Sequence, residues 1–147
     1  MRVLPDTNIL LRSAQSNHAL FTPAKHAVLT LLGRSDLVFF CPQNIVEFWN
    51  VATRPAAQNG MGLPCSSALR EIAAIEKSLS LLPDIPEVYE VWKQIVSDHK
   101  VQGVKVHDAR LVAVMKVYSV DALLTFNSSD FQRFTDITTI HPSSLSP

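Results

Sequence analysis

Arg2-Val3-Leu4-Pro5-Asp6-Thr7-Asn8-Ile9-Leu10-Leu11 decides how the rest of the chain is read. Arg2, Val3 and Leu4 read as a short buried strand whose ladder Pro5 stops, and Ile9 to Leu11 as the start of a helix ending near Arg12 or Ser13. A strand-to-helix junction is where α/β proteins place chemistry. The C-terminal ends of parallel strands open into a crevice, and the next helix points its N-terminal N–H groups into it. Asp6 stands in that crevice. The ordinary role of an acidic residue there is a helix N-cap, so its weight depends on whether other carboxylates occupy equivalent positions.

Outward from this stretch, strands and helices alternate. Thr22-Pro23 reads as an N-cap followed by Pro at the first helical position, opening a helix over residues 23–33 with Ala24, Ala27, Val28, Leu31 and Leu32 on one face. Residues 36–42 form a short apolar run bounded by turn residues, as in a strand buried on both faces. Helical spacing returns over residues 43–53, where Ile45, Phe48, Trp49 and Ala52 share a face and Asn44, Glu47 and Asn50 lie on another stripe. After a loop over 58–64, Ser66-Ser67 opens a helix, residues 79–82 make a short strand, and a further helix runs from 84–86 to about His99. Gly103 breaks the pattern before a helix over Val106–Val117, a strand over 122–125, a helical turn over 129–134 and a last strand over 137–140. The order β-α-α-β-α-α-β-α-α-β-β predicts an α/β fold, a three-layer α/β/α sandwich with a mostly parallel central sheet, as one domain over residues 1–147.

Composition narrows the function classes. With 47% hydrophobic and 18% charged residues the chain is neither disordered nor fibrous. Thirteen Lys and Arg balance thirteen Asp and Glu, so no global field draws nucleic acid, membranes or acidic partners, and any nucleic-acid contact is local or metal-mediated. Cys41 and Cys65 are too few and too far apart for a disulfide framework or a thiolate metal site, which points to a reduced, cytoplasmic protein. The N-terminal residues lack the apolar core of a signal peptide, and no run reaches membrane-spanning length.

Three more carboxylates fall at strand ends or in the following helix. Glu47 lies one turn beyond the strand ending at Cys41-Pro42, Asp108 in the first turn of the helix from Val106, and Asp130 in the loop after the strand over 122–125, together with Thr125 and Asn127. Each has an ordinary explanation as a solvated charge, a dipole partner or a cap. In a fold whose strand ends share one rim, however, Asp6, Glu47, Asp108 and Asp130 form a cluster. Two unit charges about 4 Å apart cost roughly 4 kcal/mol at an effective dielectric near 20, so such a group stays ionised only with cations among it. Hard oxygen donors without His or Cys select Mg²⁺ or Mn²⁺ over zinc. Such ions activate a water, bridge a phosphate and stabilise a leaving oxygen.

Leu4-Pro5-Asp6-Thr7-Asn8-Ile9-Leu10, Pro42-Gln43-Asn44-Ile45-Val46-Glu47-Phe48, His107-Asp108-Ala109-Arg110-Leu111, and Leu123-Leu124-Thr125-Phe126-Asn127 with Asp130-Phe131 together resemble the PIN-domain ribonuclease family, in the family's order and over nearly the whole chain. Among its members the chain is most similar to the small VapC-type toxins of toxin-antitoxin pairs. The resemblance implies that Asp6, Glu47, Asp108 and Asp130 are the catalytic, metal-binding quartet, with either Asp130 or Asn127 facing the metal, and that Thr7, Asn8, Thr125 and Asn127 orient them by hydrogen bonds. It implies metal-dependent hydrolysis of an RNA phosphodiester in tRNA, rRNA or mRNA. It also implies a cognate antitoxin protein and a homodimer, without a membrane. The alternatives are a stand-alone PIN nuclease, an inactive PIN-like binding module, and a phosphatase of the haloacid-dehalogenase kind, whose second Asp is here Asn8. His107 reads as a surface or packing residue, and Arg12, Arg54, Lys105 and Arg110 as solvated charges able to grip phosphates. Ser119 stands where relatives often have Gly, so a left-handed conformation there costs about 1 kcal/mol.

Overall fold

A computed structural model describes residues 1–145. In chain order its strands are β1 (Arg2–Pro5), β2 (Leu37–Phe40), β3 (Ser80–Leu81), β4 (Ala122–Leu124) and β5 (Thr138–Ile140). Its α-helices are α1 (Thr7–Ala14), α2 (Phe21–Gly33), α3 (Pro42–Thr53), α4 (Cys65–Ser78), α5 (Pro86–Asp98) and α6 (Val106–Val117). The strands form one sheet in the order β3-β2-β1-β4-β5, and every pairing is parallel.

Alternation along each strand divides the core into two layers. Val3, Val38, Phe40 and Leu124 pack with residues of α1 to α4, while Leu4, Phe39, Cys41 and Leu123 pack with α5 and α6. Both faces of the sheet are thus covered, which is why these strands read as continuous apolar runs. Leu111 to Met115 of α6 are buried without a break, so this helix is apolar nearly all round. Among the described residues no helix is long and apolar enough to cross a membrane.

Beyond shifts of a residue or so at element ends, four points differ from the sequence reading. Pro5 does not end the first ladder: it stands in register with Leu124, and the Asp6 N–H donates to the Leu124 carbonyl at 2.8 Å, so pairing continues past the missing proline N–H. Thr22 is not an N-cap, because α2 already starts at Phe21 and Pro23 falls in its first turn, where no N–H is needed. The Leu20 N–H that precedes it is taken by the His18 ring at 3.0 Å. β3 shrinks to Ser80–Leu81, an exposed edge strand flanked by Leu79 and Leu82, which lie in opposite core layers. Lastly, Asn44 is fully buried instead of lying on a solvent stripe.

Candidate active site

The chain runs from β1 through α1 and α2 to β2, then through α3 and α4 to β3 at one edge, and returns through α5 and α6 to β4 on the other side of β1. The order therefore reverses between β1 and β4. A crevice opens at the C-terminal ends of the strands at such a point. Asp6 sits there, immediately after β1, and Thr125 sits immediately after β4.

Asp6 occupies the N-cap position of α1 without capping it; the Ile9 N–H bonds the Asp6 backbone carbonyl at 2.9 Å. The carboxylate instead accepts a hydrogen bond from the Thr125 hydroxyl at 3.0 Å, and that hydroxyl accepts the Asn127 N–H at 3.0 Å. Burial pushes the Asp6 carboxyl up to about 6, against the Thr125 bond and with further help from the charges of Asp108 and Glu47. Asp108, in the first turn of α6, is likewise raised by burial and by Asp130 and Glu47, while Lys105 holds it down. The three carboxylates, Asp6 just after β1, Glu47 on α3 and Asp108 on α6, therefore share one electrostatic field.

Glu47 is positioned by Gln43, one turn earlier in α3. The Gln43 amide donates to Glu47 Oε1 at 2.6 Å and to the His107 carbonyl at 2.8 Å, and its oxygen accepts from Arg110 at 3.2 Å. Arg110 in turn donates to Asp84 at 2.9 Å. Asp130 lies on the outer rim, where the Lys105 ammonium bridges it (2.9 Å) to Asp108 (3.6 Å). Asn127 is exposed and joins the network through its backbone. Thr7 is buried and its hydroxyl accepts from Asn44 at 3.2 Å; Asn8, next to it, is half-buried.

Asn44, Gln43, Lys105 and Arg110 are the residues whose part in this network the sequence reading missed. Asn44 Oδ1 accepts from the Cys41 N–H (2.9 Å) and thiol (3.3 Å), and its amide donates to the Pro5 carbonyl and to Thr7, both at 3.2 Å. It thereby fastens the start of α3 to the end of β1. The three-residue spacing from Cys41 is that of a capping box, a signal present in the sequence. The partners of Lys105 and Arg110 on other elements leave no such local trace.

The donor set fits a hard divalent cation. It is all oxygen, and the raised Asp6 and Asp108 carboxyls lack a full counter-charge. Lys105 already acts as a cation between Asp108 and Asp130. Among the described residues no three His, Cys, Asp or Glu side chains come close enough together to hold a metal ion between them, so the four carboxylates surround the crevice without converging on one point.

The family model described as PIN domain matches residues 3–137. No curated protein matches the chain in sequence. Solved structures of similar fold include VapBC2 of Rickettsia felis, bound to a DNA fragment from its promoter (TM-score 0.71, 11% identity, 96% of this chain and 98% of that one). VapBC-1 of nontypeable Haemophilus influenzae has a TM-score of 0.71 at 15% identity, covering 97% of this chain and 99% of that one. VapC20 of Mycobacterium tuberculosis, described as a sarcin-ricin loop cleaving toxin, has a TM-score of 0.61 at 14% identity, with 82% and 86% covered. At these identities the likeness is one of fold.

Proposed function

The chain belongs to the PIN domain family, and from that premise we propose that it is a metal-dependent endoribonuclease, the toxin of a VapBC-type pair, acting as a single domain. The observation that carries the reading is Asp6: a carboxylate at the switch point of the sheet, declining its helix cap, clamped by Thr125 and pushed up to about 6 beside Asp108 and Glu47. A structural cap needs none of this.

Asp6 and Asp108 would hold the cation, with Glu47 reaching it directly or through water and Asp130 at the outer edge. When bound, Mg²⁺ or Mn²⁺ supplies the charge that holds a scissile phosphate and lowers the pKa of a water. Thr125 fixes the Asp6 carboxylate by donating to Oδ2, and Gln43 fixes Glu47 by donating to Oε1. Lys105, at the mouth between Asp108 and Asp130, is placed to meet the phosphate backbone. The named toxin VapC20 supports an RNA substrate, and the VapBC complexes support a cognate antitoxin. A homodimer completes the proposal.

The test is cleavage of a mixed tRNA and rRNA pool by the purified protein with Mg²⁺, Mn²⁺ or EDTA, beside Asp6→Asn and Asp108→Asn. Discrete fragments that require metal and vanish in both variants are expected. Equal behaviour of wild type and variants would overturn the reading.

A further inference from the structure

On the same edge of the sheet the crevice has a neighbour. Asp84, Ile85, Val88, Tyr89, Trp92 and Arg110 line a cavity of about 320 Å³, within the range of pockets that enclose small organic ligands. Asp84 follows the end of β3 by three residues, at the same end of the sheet as Asp6, Gln43 and Thr125, which follow β1, β2 and β4. A continuous chain of hydrogen bonds joins the two: Asp84 to Arg110, Arg110 to Gln43, Gln43 to Glu47.

The lining mixes two aromatic rings with a guanidinium and a carboxylate. Trp92 is pinned by donating its indole N–H to the Val106 carbonyl at 2.9 Å, just before the helical turn that carries Asp108. Tyr89, at a centroid distance of 6.4 Å from Trp92, is 57% exposed, with the Lys93 ammonium 5.4 Å from its ring centre. Such a surface offers π faces to a flat ring and hydrogen-bonding groups to its edge. An aliphatic occupant would desolvate the Arg110–Asp84 pair without compensation.

We propose that this cavity is a nucleobase subsite, taking an unstacked base of single-stranded RNA near the scissile phosphate, with its face against Tyr89 and Trp92 and its polar edge toward Arg110 and Asp84. The assignment deepens the nuclease reading and rests on it for the identity of the strand. Because Arg110 reaches Glu47 through Gln43 alone, occupancy of the cavity is coupled to the carboxylate rim by one buried side chain.

The chain has two tryptophans, so Trp49→Phe leaves Trp92 as the sole reporter. The full chain carrying that change is titrated with 2′-O-methyl tetranucleotides, which cannot be cleaved, and with abasic strands of equal charge. Saturable quenching by base-bearing strands alone is expected, with affinity lowered about 5- to 100-fold by Tyr89→Ala. That substitution is at an exposed position and leaves the fold intact. Equal titration by abasic strands, or unchanged affinity in Tyr89→Ala, would overturn the assignment. If RNA cleavage depends on Asp6 and Asp108 while Trp92 does not respond, the subsite alone fails. If Trp92 responds to bases but no RNA is cleaved, the subsite stands and the nuclease reading fails.

Discussion

Asp6 takes up its proton more readily in the folded protein than in the unfolded chain, because its carboxyl rises from 3.8 to about 6 on burial. The stability this contributes is fully present below about pH 4 and is lost as pH rises through 6, an effect of up to about 3 kcal/mol in metal-free protein. Asp6→Asn should flatten that slope and raise the urea midpoint at pH 7.5. Mn²⁺ should stabilise wild type and not the variant. Identical pH profiles for the two proteins would refute the role of Asp6 burial. At Ser119 the structure bears out the expected left-handed backbone, with φ of 52° just beyond α6. Ser119→Gly should therefore add about 1 kcal/mol, read as a higher urea midpoint at unchanged slope.

At the scale of elements, α3 is attached to the sheet by its first turn. Asn44→Ala would leave the Cys41 N–H and the Pro5 carbonyl without their partner in the interior, at a cost of about 2–4 kcal/mol. Denaturation should register that loss, and exchange of the Cys41 amide should accelerate. Gln43→Leu is close in volume but frees Glu47 and leaves the His107 carbonyl without its partner, so cleavage should fall about 10- to 100-fold with a stability loss of about 1–3 kcal/mol. These two positions also mark where sequence reading stopped. Apolar spacing identified the helices and the buried strands, because burial leaves a period in the sequence. It put Asn44 on the outer stripe with Glu47 and Asn50, because a helical projection ignores polar side chains of the first turn that fold back onto the preceding strand. Pro5 misled for a related reason: parallel pairing with β4 passes through the neighbouring Asp6 N–H, which a rule about proline alone does not consider.

Over the whole molecule, strand alternation was enough to predict the layered α/β architecture and the shared rim, since both follow from chain order and the handedness of parallel crossovers. The partners of Lys105 and Arg110 were not legible. Apart from the local Lys105–Asp108 pair, they join residues 25, 26 and 67 positions apart across separate elements, a product of packing that no local pattern records. Balanced charge has a consequence of its own. With thirteen basic and thirteen acidic residues, the proposed RNA substrate would be gripped by a few local contacts, so a strand touching about two phosphates should bind less than ~10-fold more weakly at 200 mM than at 50 mM salt. A steeper fall in a titration would point to a wider basic footprint than the structure contains.

The placing of β1 between β2 and β4 also sets a schedule. Asp6 is synthesised well before its clamp, because the hydroxyl that holds it belongs to Thr125, 119 residues later, and the strand that walls the crevice is Ala122–Leu124. Contacts of such long sequence separation form late. A partly synthesised chain therefore carries Asp6 without a crevice to hold it, and the site is assembled only after β4 has emerged.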